Sequence, residues 1–377
     1  MKWLYLSSGL FLGWSLGAND AANVFGTAVG TKMVRFGTAA AVAGIFVVIG
    51  SVSGVSGATD TLGALGAVET LPAAFVLALA AGLAVLLLLR QTGLPVSTTQ
   101  AIVGALVGFN VFTARTTDLA VLGRIVSSWL VCPALSAAFA AGLFVVAKAW
   151  MRRAKIHLLE VDAWTRLGLL VVGGFGAYTL GQNNIANVMG VFVRVSPFPE
   201  RVRLGPVQVT GTEMLFLSGG LAIALGIGTY SHRVMRKLGA GLTALSPLAA
   251  LVVVFAAAAV LFLFASPGLQ RSLRGHGLPS VPLVPVSSSQ AVVGAILGIS
   301  LVRRSEIRTR ELAKIVAGWV AAPLAAMVLS LVGLFVARNV FDLPVAPDQP
   351  VRHAARAARD GSLSPGTGAA NPVSSSR

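Results

Sequence analysis

Gly17-Ala18-Asn19-Asp20-Ala21-Ala22-Asn23 lies inside an apolar stretch spanning residues 3–30. An acid and two amides are expensive in the middle of a membrane segment, so their presence there reads first as a functional site. The pattern returns as Gly181-Gln182-Asn183-Asn184-Ile185-Ala186-Asn187, inside the apolar stretch 167–193. Gly17, Asn19, Ala22 and Asn23 align with Gly181, Asn183, Ala186 and Asn187 at a constant offset of 164. One polar interruption, placed twice in two long hydrophobic helices, is the pattern of a transport site built from an internal repeat.

A second motif is also duplicated. Pro95-Val96-Ser97-Thr98-Thr99-Gln100-Ala101 recurs as Pro285-Val286-Ser287-Ser288-Ser289-Gln290-Ala291, at an offset of 190. The same offset relates Trp129 to Trp319 and Pro133 to Pro323, so the second half holds 26 more residues between its two motifs. A repeat of this extent is visible within one chain.

Composition agrees with a membrane solvent. The chain is 55% hydrophobic and 11% charged, with a mean hydropathy of +0.82; soluble domains carry about 25% charged residues. The net charge of +16 comes from short basic clusters between apolar segments. Without interleaved aromatics these read as cytoplasmic loops and not as a nucleic-acid surface. Cys132 is the only cysteine, so no intrachain disulfide can form. His157, His232, His276 and His353 lie far apart, and no transition-metal site or permanently bound cofactor is expected. No P-loop and no Ser/His/Asp or Cys/His arrangement is present, so the chain does not read as an enzyme. The first apolar segment exceeds a signal-peptide core and is kept as a mature helix.

The apolar segments run 3–30, 36–57, 72–90, 94–112 and 125–149, then 167–193, 214–231, 241–266, 281–302 and 311–340. Each is about long enough to cross a hydrocarbon core of about 30 Å. The domain reading is a first repeat over 1–150, a cytoplasmic linker over 151–166, a second repeat over 167–343 and a disordered tail over 344–377. Segments 72–90 and 94–112 form a re-entrant hairpin as the alternative to two crossings, with Arg90 near its tip in need of water or a partner. Clusters at Lys32 and Arg35, at residues 148–155, at 233–237 and at 303–310 all fall on one side, read as cytoplasmic. Asp60 and Glu69 then face outward, and both termini lie outside. An odd number of segments per half turns the second half over, giving inverted repeats.

The two motifs divide the chemistry. Gly17 and its small neighbours permit a helix break, which frees N–H groups for an anion and C=O groups for a cation. Asp20 adds a full negative charge suited to Na+ or to carrying a proton, and Asn19 and Asn23 supply amide groups of either polarity. In the second motif, proline ends one helix and Ser97, Thr98 and Thr99 cap the next, presenting hydroxyls and unpaired N–H groups as an anion cradle. Ser287, Ser288 and Ser289 repeat it. Asp118, Glu160, Asp162, Glu200 and Glu213 sit in polar loops and read as solvated or paired; Arg194, Arg201 and Arg203 can attract anions to the outer mouth.

At these residues the chain resembles the PiT family of inorganic phosphate transporters, in four motifs in order over about residues 3–340. The resemblance implies a secondary transporter coupled to Na+ or H+, typically a homodimer, in a bacterial-type cytoplasmic (inner) membrane. The implied substrate ligands are Asp20, Asn23, Asn184, Asn187, Ser97, Thr98, Thr99, Gln100, Ser287, Ser288, Ser289 and Gln290. The implied cation ligands are Asn19, Asp20, Asn23, Asn183, Asn184 and Asn187. One departure stands out: the family usually has aspartate where this chain has Asn184. Some bacterial members are thought to carry sulfate, so a sulfate permease is the alternative. Phosphate near neutral pH still carries a proton that a carboxylate can accept, whereas sulfate does not, so the retained Asp20 favours phosphate. A passive anion channel and a membrane scaffold with a vestigial site complete the alternatives.

Overall fold

The computed structural model describes residues 2–53, 58–154, 158–204, 207–239, 245–279 and 281–346. The first half holds α1 (Lys2–Gly30), α2 (Phe36–Ser53), α3 (Ala58–Leu65), α4 (Leu71–Thr92), α5 (Thr98–Thr113) and α6 (Leu119–Ala154). The second holds α7 (Leu158–Met189), α8 (Gly211–Thr229), α9 (Ser231–Gly239), α10 (Pro247–Ala265), α11 (Pro267–Gly275), α12 (Ser288–Arg303) and α13 (Thr309–Asn339). Between α7 and α8 a 3-10 turn (Gly190–Val195) leads into a small antiparallel hairpin, β1 (Arg201–Leu204) and β2 (Val207–Thr210), with Arg201 opposite Thr210. The expected link at 151–166 is helical on both flanks, and its residues 155–157 lie outside the described residues, as does the expected tail beyond residue 346.

Among the described residues, α2, α4, α6, α8, α10 and α13 are long and apolar enough to cross a membrane. The motif-bearing α1 and α7 are longer still, at 29 and 32 residues. Large side chains on α6 and α13, such as Leu130, Leu135, Val320 and Val332, are exposed, as a lipid-facing surface requires. The interior mixes large side chains, such as Phe25, Phe109, Phe192 and Phe216, with many alanines and glycines.

Two expectations are corrected. Segments 94–112 and 281–302 do not cross as whole helices. Their helical parts, α5 and α12, have 16 residues each, about 24 Å at 1.5 Å per residue and short of a core of about 30 Å. Both begin inside the fold beside a long helix, where Val96 bonds Asn19 of α1 and Val286 bonds Asn183 of α7. Arg90, at the end of α4, is exposed. Gly93 then takes a left-handed φ of 65° that lets the chain turn back toward Pro95.

The second correction concerns the expected break at Gly17. Helix α1 runs through it without interruption, and α7 runs through Gly181. The glycines serve contact instead. A Cβ at Gly17 would lie 2.0 Å from the carbonyl oxygen of Ile223 on α8, and one at Gly181 would lie 2.2 Å from that of Val47 on α2. Backbones meet at both places, the close approach that small residues permit in lipid. The free helix ends at the site come from α5 and α12.

Packing follows the sequence repeat. Helix α1 packs on α8 and α4, and α7 packs on α2 and α10. The short helices are exchanged: α5 lies along α13 of the other half, and α12 lies along α6. Gly104 faces the carbonyl of Pro323, where a Cβ would come within 2.1 Å, and Gly294 faces that of Pro133 at 2.2 Å. The extra residues of the second half form the 3-10 turn and hairpin between α7 and α8 and, further on, α11 and the segment before α12, whose Leu283 carbonyl accepts from Thr61 on α3 at 2.8 Å.

Candidate functional site

Four helices bring the two duplicated motifs to one buried place. Asn19, Asp20 and Asn23 come from α1, and Asn183, Asn184 and Asn187 from α7. The start of α5 brings Ser97, Thr98, Thr99 and Gln100; the start of α12 brings Ser287, Ser288, Ser289 and Gln290. None of these side chains is more than 4% exposed. Every residue singled out in the two motifs is therefore in this centre. The outer arginines Arg194, Arg201 and Arg203 are not.

The helix starts are set by local chemistry. Ser97 caps α5 by accepting from the Gln100 N–H at 3.3 Å, and Ser287 caps α12 by accepting from the Gln290 N–H at 3.3 Å. Each incoming strand is held by one asparagine. Asn19 donates Nδ2 to the Val96 carbonyl at 2.6 Å and accepts from the Val96 N–H at 2.9 Å. Asn183 does the same to Val286, at 2.7 Å and 3.1 Å. A side-chain amide here replaces a missing backbone neighbour, satisfying both polar groups of a buried extended residue. This positioning role was not readable from the sequence, because its partners are backbone groups 77 and 103 residues away.

The halves are then stitched to each other. Asn23 donates to Ser288 Oγ at 3.1 Å and to Ser289 Oγ at 3.2 Å. Asn187 donates to Thr99 Oγ1 at 2.9 Å. Ser289 Oγ donates to the Val96 carbonyl at 3.3 Å, and Thr99 Oγ1 donates to the Val286 carbonyl at 3.2 Å. Asp20 accepts from Asn19 Nδ2 through Oδ1 and from Ser288 Oγ through Oδ2, the latter at 2.8 Å. Among the described residues no ion pair reaches Asp20; the three salt bridges present, such as Arg115–Glu69, lie elsewhere.

Several buried oxygens here have no protein donor: Asn23 Oδ1, Asn187 Oδ1, Gln100 Oε1, Gln290 Oε1 and Thr98 Oγ1. Buried polar atoms are normally satisfied, so open amide oxygens such as that of Asn23, which shares Ser288 with the Asp20 carboxylate, are suited to a cation, while hydroxyls at two helix N-termini are suited to an anion. Trp129 and Trp319, which the repeat aligns, also carry buried indole N–H groups without a partner. Their matched positions were visible in the sequence; their unpaired donors were not.

A buried polar centre at the starts of two short helices, inside a shell of apolar helices long enough to span a membrane, has the form of a polytopic membrane transport protein. Comparison with known proteins is more specific. The family model described as "Phosphate transporter family" matches residues 16–161, 155–273 and 280–360, and the chain belongs to that family. A protein of Methanocaldococcus jannaschii, named for an inferred phosphate permease role, is 26% identical over 87% of this chain and 95% of its own. The "Sodium-dependent phosphate transporter" of Plasmodium falciparum is 32% identical over 49% of this chain and 30% of its own. A solved structure described as "The sodium-dependent phosphate transporter" shares the fold, with a TM-score of 0.70 at 20% identity over 89% of this chain and 98% of that one.

Proposed function

We propose that this chain carries inorganic phosphate across the membrane in symport with a monovalent cation, Na+ or H+, by exposing the buried centre alternately to the two sides. The observation that carries this reading is Asp20. It is buried, hydrogen-bonded to Asn19 and Ser288, and engaged in no ion pair among the described residues. A carboxylate without a resident counter-charge in a low-dielectric centre calls for a cation that arrives and leaves. The helix starts beside it supply hydroxyl and amide donors for the anion. Asn23, Asn187, Thr98, Gln100 and Gln290 are the direct ligands in this reading, with Asp20, Ser288, Ser289 and Thr99 lining the same space. Asn19 and Asn183, whose amides are spent on Val96 and Val286, act as positioning residues.

Alternating access requires two halves that mirror one another, and the helix directions support an inverted repeat. Along α1 and α8, Gly13 meets Gly219 and Ala222 while Gly17 meets Ile223 and Ile227, so the two run in the same sense. Along α7 and α2, Gly174 meets Phe46 and Val42 while Gly181 meets Val47 and Ser51, again in the same sense. Consecutive spanning helices α1 and α2, joined by residues 31–35, run in opposite senses, which makes α1 and α7 opposite. The homodimer and the cytoplasmic (inner) membrane belong to the same proposal, on the strength of the resemblance.

Uptake of labelled phosphate and of labelled sulfate into proteoliposomes tests it, under an inward Na+ gradient and separately a proton gradient. Gradient-driven phosphate uptake that sulfate does not inhibit is the expected result. Flux indifferent to both gradients would mean a channel. Sulfate uptake indifferent to excess phosphate would replace the substrate.

A further inference from the structure

The two halves of the centre share the clamps of Asn19 and Asn183 on Val96 and Val286 and the hydroxyl bonds of Ser289 and Thr99 that cross to those carbonyls, and they differ around one position. The exception is Asp20 against Asn184. Asp20 Oδ2 takes the hydroxyl of Ser288 at 2.8 Å. Asn184 instead turns its Nδ2 back to the Leu180 carbonyl of its own helix at 3.0 Å, and its Oδ1 is taken by Asn187 Nδ2 at 2.9 Å. Thr98, which the repeat places opposite Asn184 as Ser288 is opposite Asp20, keeps a buried hydroxyl with no partner.

We propose, resting on the phosphate-symport reading above, that the centre carries one coupling cation on the Asp20 side, and that the Asn184 side is a neutral half serving only the anion. Both α5 and α12 point the positive ends of their dipoles into the site, a field that favours anions. A bare cation settles against that field only where a full negative charge offsets it. On one side Asp20 supplies the charge, with Asn23 Oδ1 and the Ser288 oxygen to complete the shell. On the other side the Asn184 oxygen is already used, and the free Thr98 hydroxyl is a donor, which suits a phosphate oxygen.

The charge count then follows. One monovalent cation moving with dihydrogen phosphate is electroneutral, and with monohydrogen phosphate it carries one net negative charge. In neither case does an inside-negative potential help uptake. The test uses the full-length protein in proteoliposomes, with the driving cation gradient fixed and a potassium diffusion potential set at 0 or −100 mV. The expected results are a Hill coefficient of about 1 for the cation and no gain in phosphate accumulation at −100 mV. Asn184→Asp is expected to create a second cation site, with a Hill coefficient rising toward 2 and, at a pH where dihydrogen phosphate is the carried form, a potential-stimulated uptake. A wild-type accumulation that rises roughly fiftyfold at −100 mV, the factor for one net positive charge, overturns the proposal. So does a measured ratio of two cations per phosphate. If neither cation gradient drives phosphate uptake, the symport reading itself fails. Direct counting of 22Na+ sites on the purified wild-type protein then still decides: one saturable site lost in Asp20→Asn upholds the inference, while two sites, or none, overturn it.

Discussion

Asn183 offers the most direct test of how the centre is held. Its amide makes two bonds, both to Val286: Nδ2 to the carbonyl at 2.7 Å and the N–H to Oδ1 at 3.1 Å. Asn183→Ala removes both. The Val286 carbonyl keeps Thr99 Oγ1 at 3.2 Å, but the Val286 N–H loses the Asn183 oxygen in a buried position. One lost hydrogen bond costs about 1 kcal/mol and an orphaned buried N–H about 1–3 kcal/mol, together roughly 2–4 kcal/mol. Spent locally on releasing the strand before α12, that cost lowers the equilibrium constant for assembling the site by about 25- to 700-fold. Asn183→Asp sharpens the test. Its oxygen can still accept from the Val286 N–H, but its second oxygen faces the Val286 carbonyl with no proton to donate, so activity should recover at acid pH where the carboxyl is protonated. Initial rates of labelled phosphate uptake across pH, with thermal unfolding of the purified protein as control, read both effects. An Asn183→Ala protein that transports at the wild-type rate and unfolds within about 0.5 kcal/mol of it would refute the clamp.

Asp20→Asn should abolish gradient-driven uptake at a cost of about 1–3 kcal/mol in thermal unfolding, since its one amide oxygen can still accept from Ser288 but the bond from Asn19 is lost; cation-stimulated transport by that variant would remove Asp20 from the mechanism. Gly104→Val should prevent α5 from seating on α13, because even a Cβ would lie 2.1 Å from the Pro323 oxygen, whereas Gly123→Ala, with nothing within 4 Å, should be silent; yield of folded protein after detergent extraction separates them. Thr98→Val should cost little stability, because its hydroxyl has no protein partner, yet raise the phosphate KM; an unchanged KM would show that the hydroxyl does not face the anion. Glu213→Ala breaks the reciprocal cap with Thr210 at the start of α8 and should cost about 1 kcal/mol in thermal unfolding, with transport preserved.

The parts of the centre were legible in sequence because each broke a local rule. Asp20 and the asparagines stood in apolar runs where polar groups are costly, and Pro95 and Pro285 stood before hydroxyl runs that read as helix caps. Repetition made both readable from a single chain. What could not be read was partnership. Nothing near Asn19 in the chain says that its amide serves Val96, and the same residue type at Asn23 donates to two serines of the other half. Gly17 shows the limit most clearly. A glycine amid small residues fits a broken helix and a close helix crossing equally well, and only the backbone of Ile223 lying against it decides. The 16-residue length of α5 was hidden likewise, because the extended residues before it are as apolar as the helix itself.

The exchange of short helices has a consequence for how the protein is made. A ribosome that has delivered only residues up to Ala154 has produced α5 without α13 and α6 without α12. The glycine face of α5, where Gly104 receives the Pro323 carbonyl of a segment not yet synthesised, stays open to lipid until α13 is inserted. Assembly of the centre is therefore the final event of biogenesis, and a truncation anywhere before α13 dismantles the first half's site along with the second.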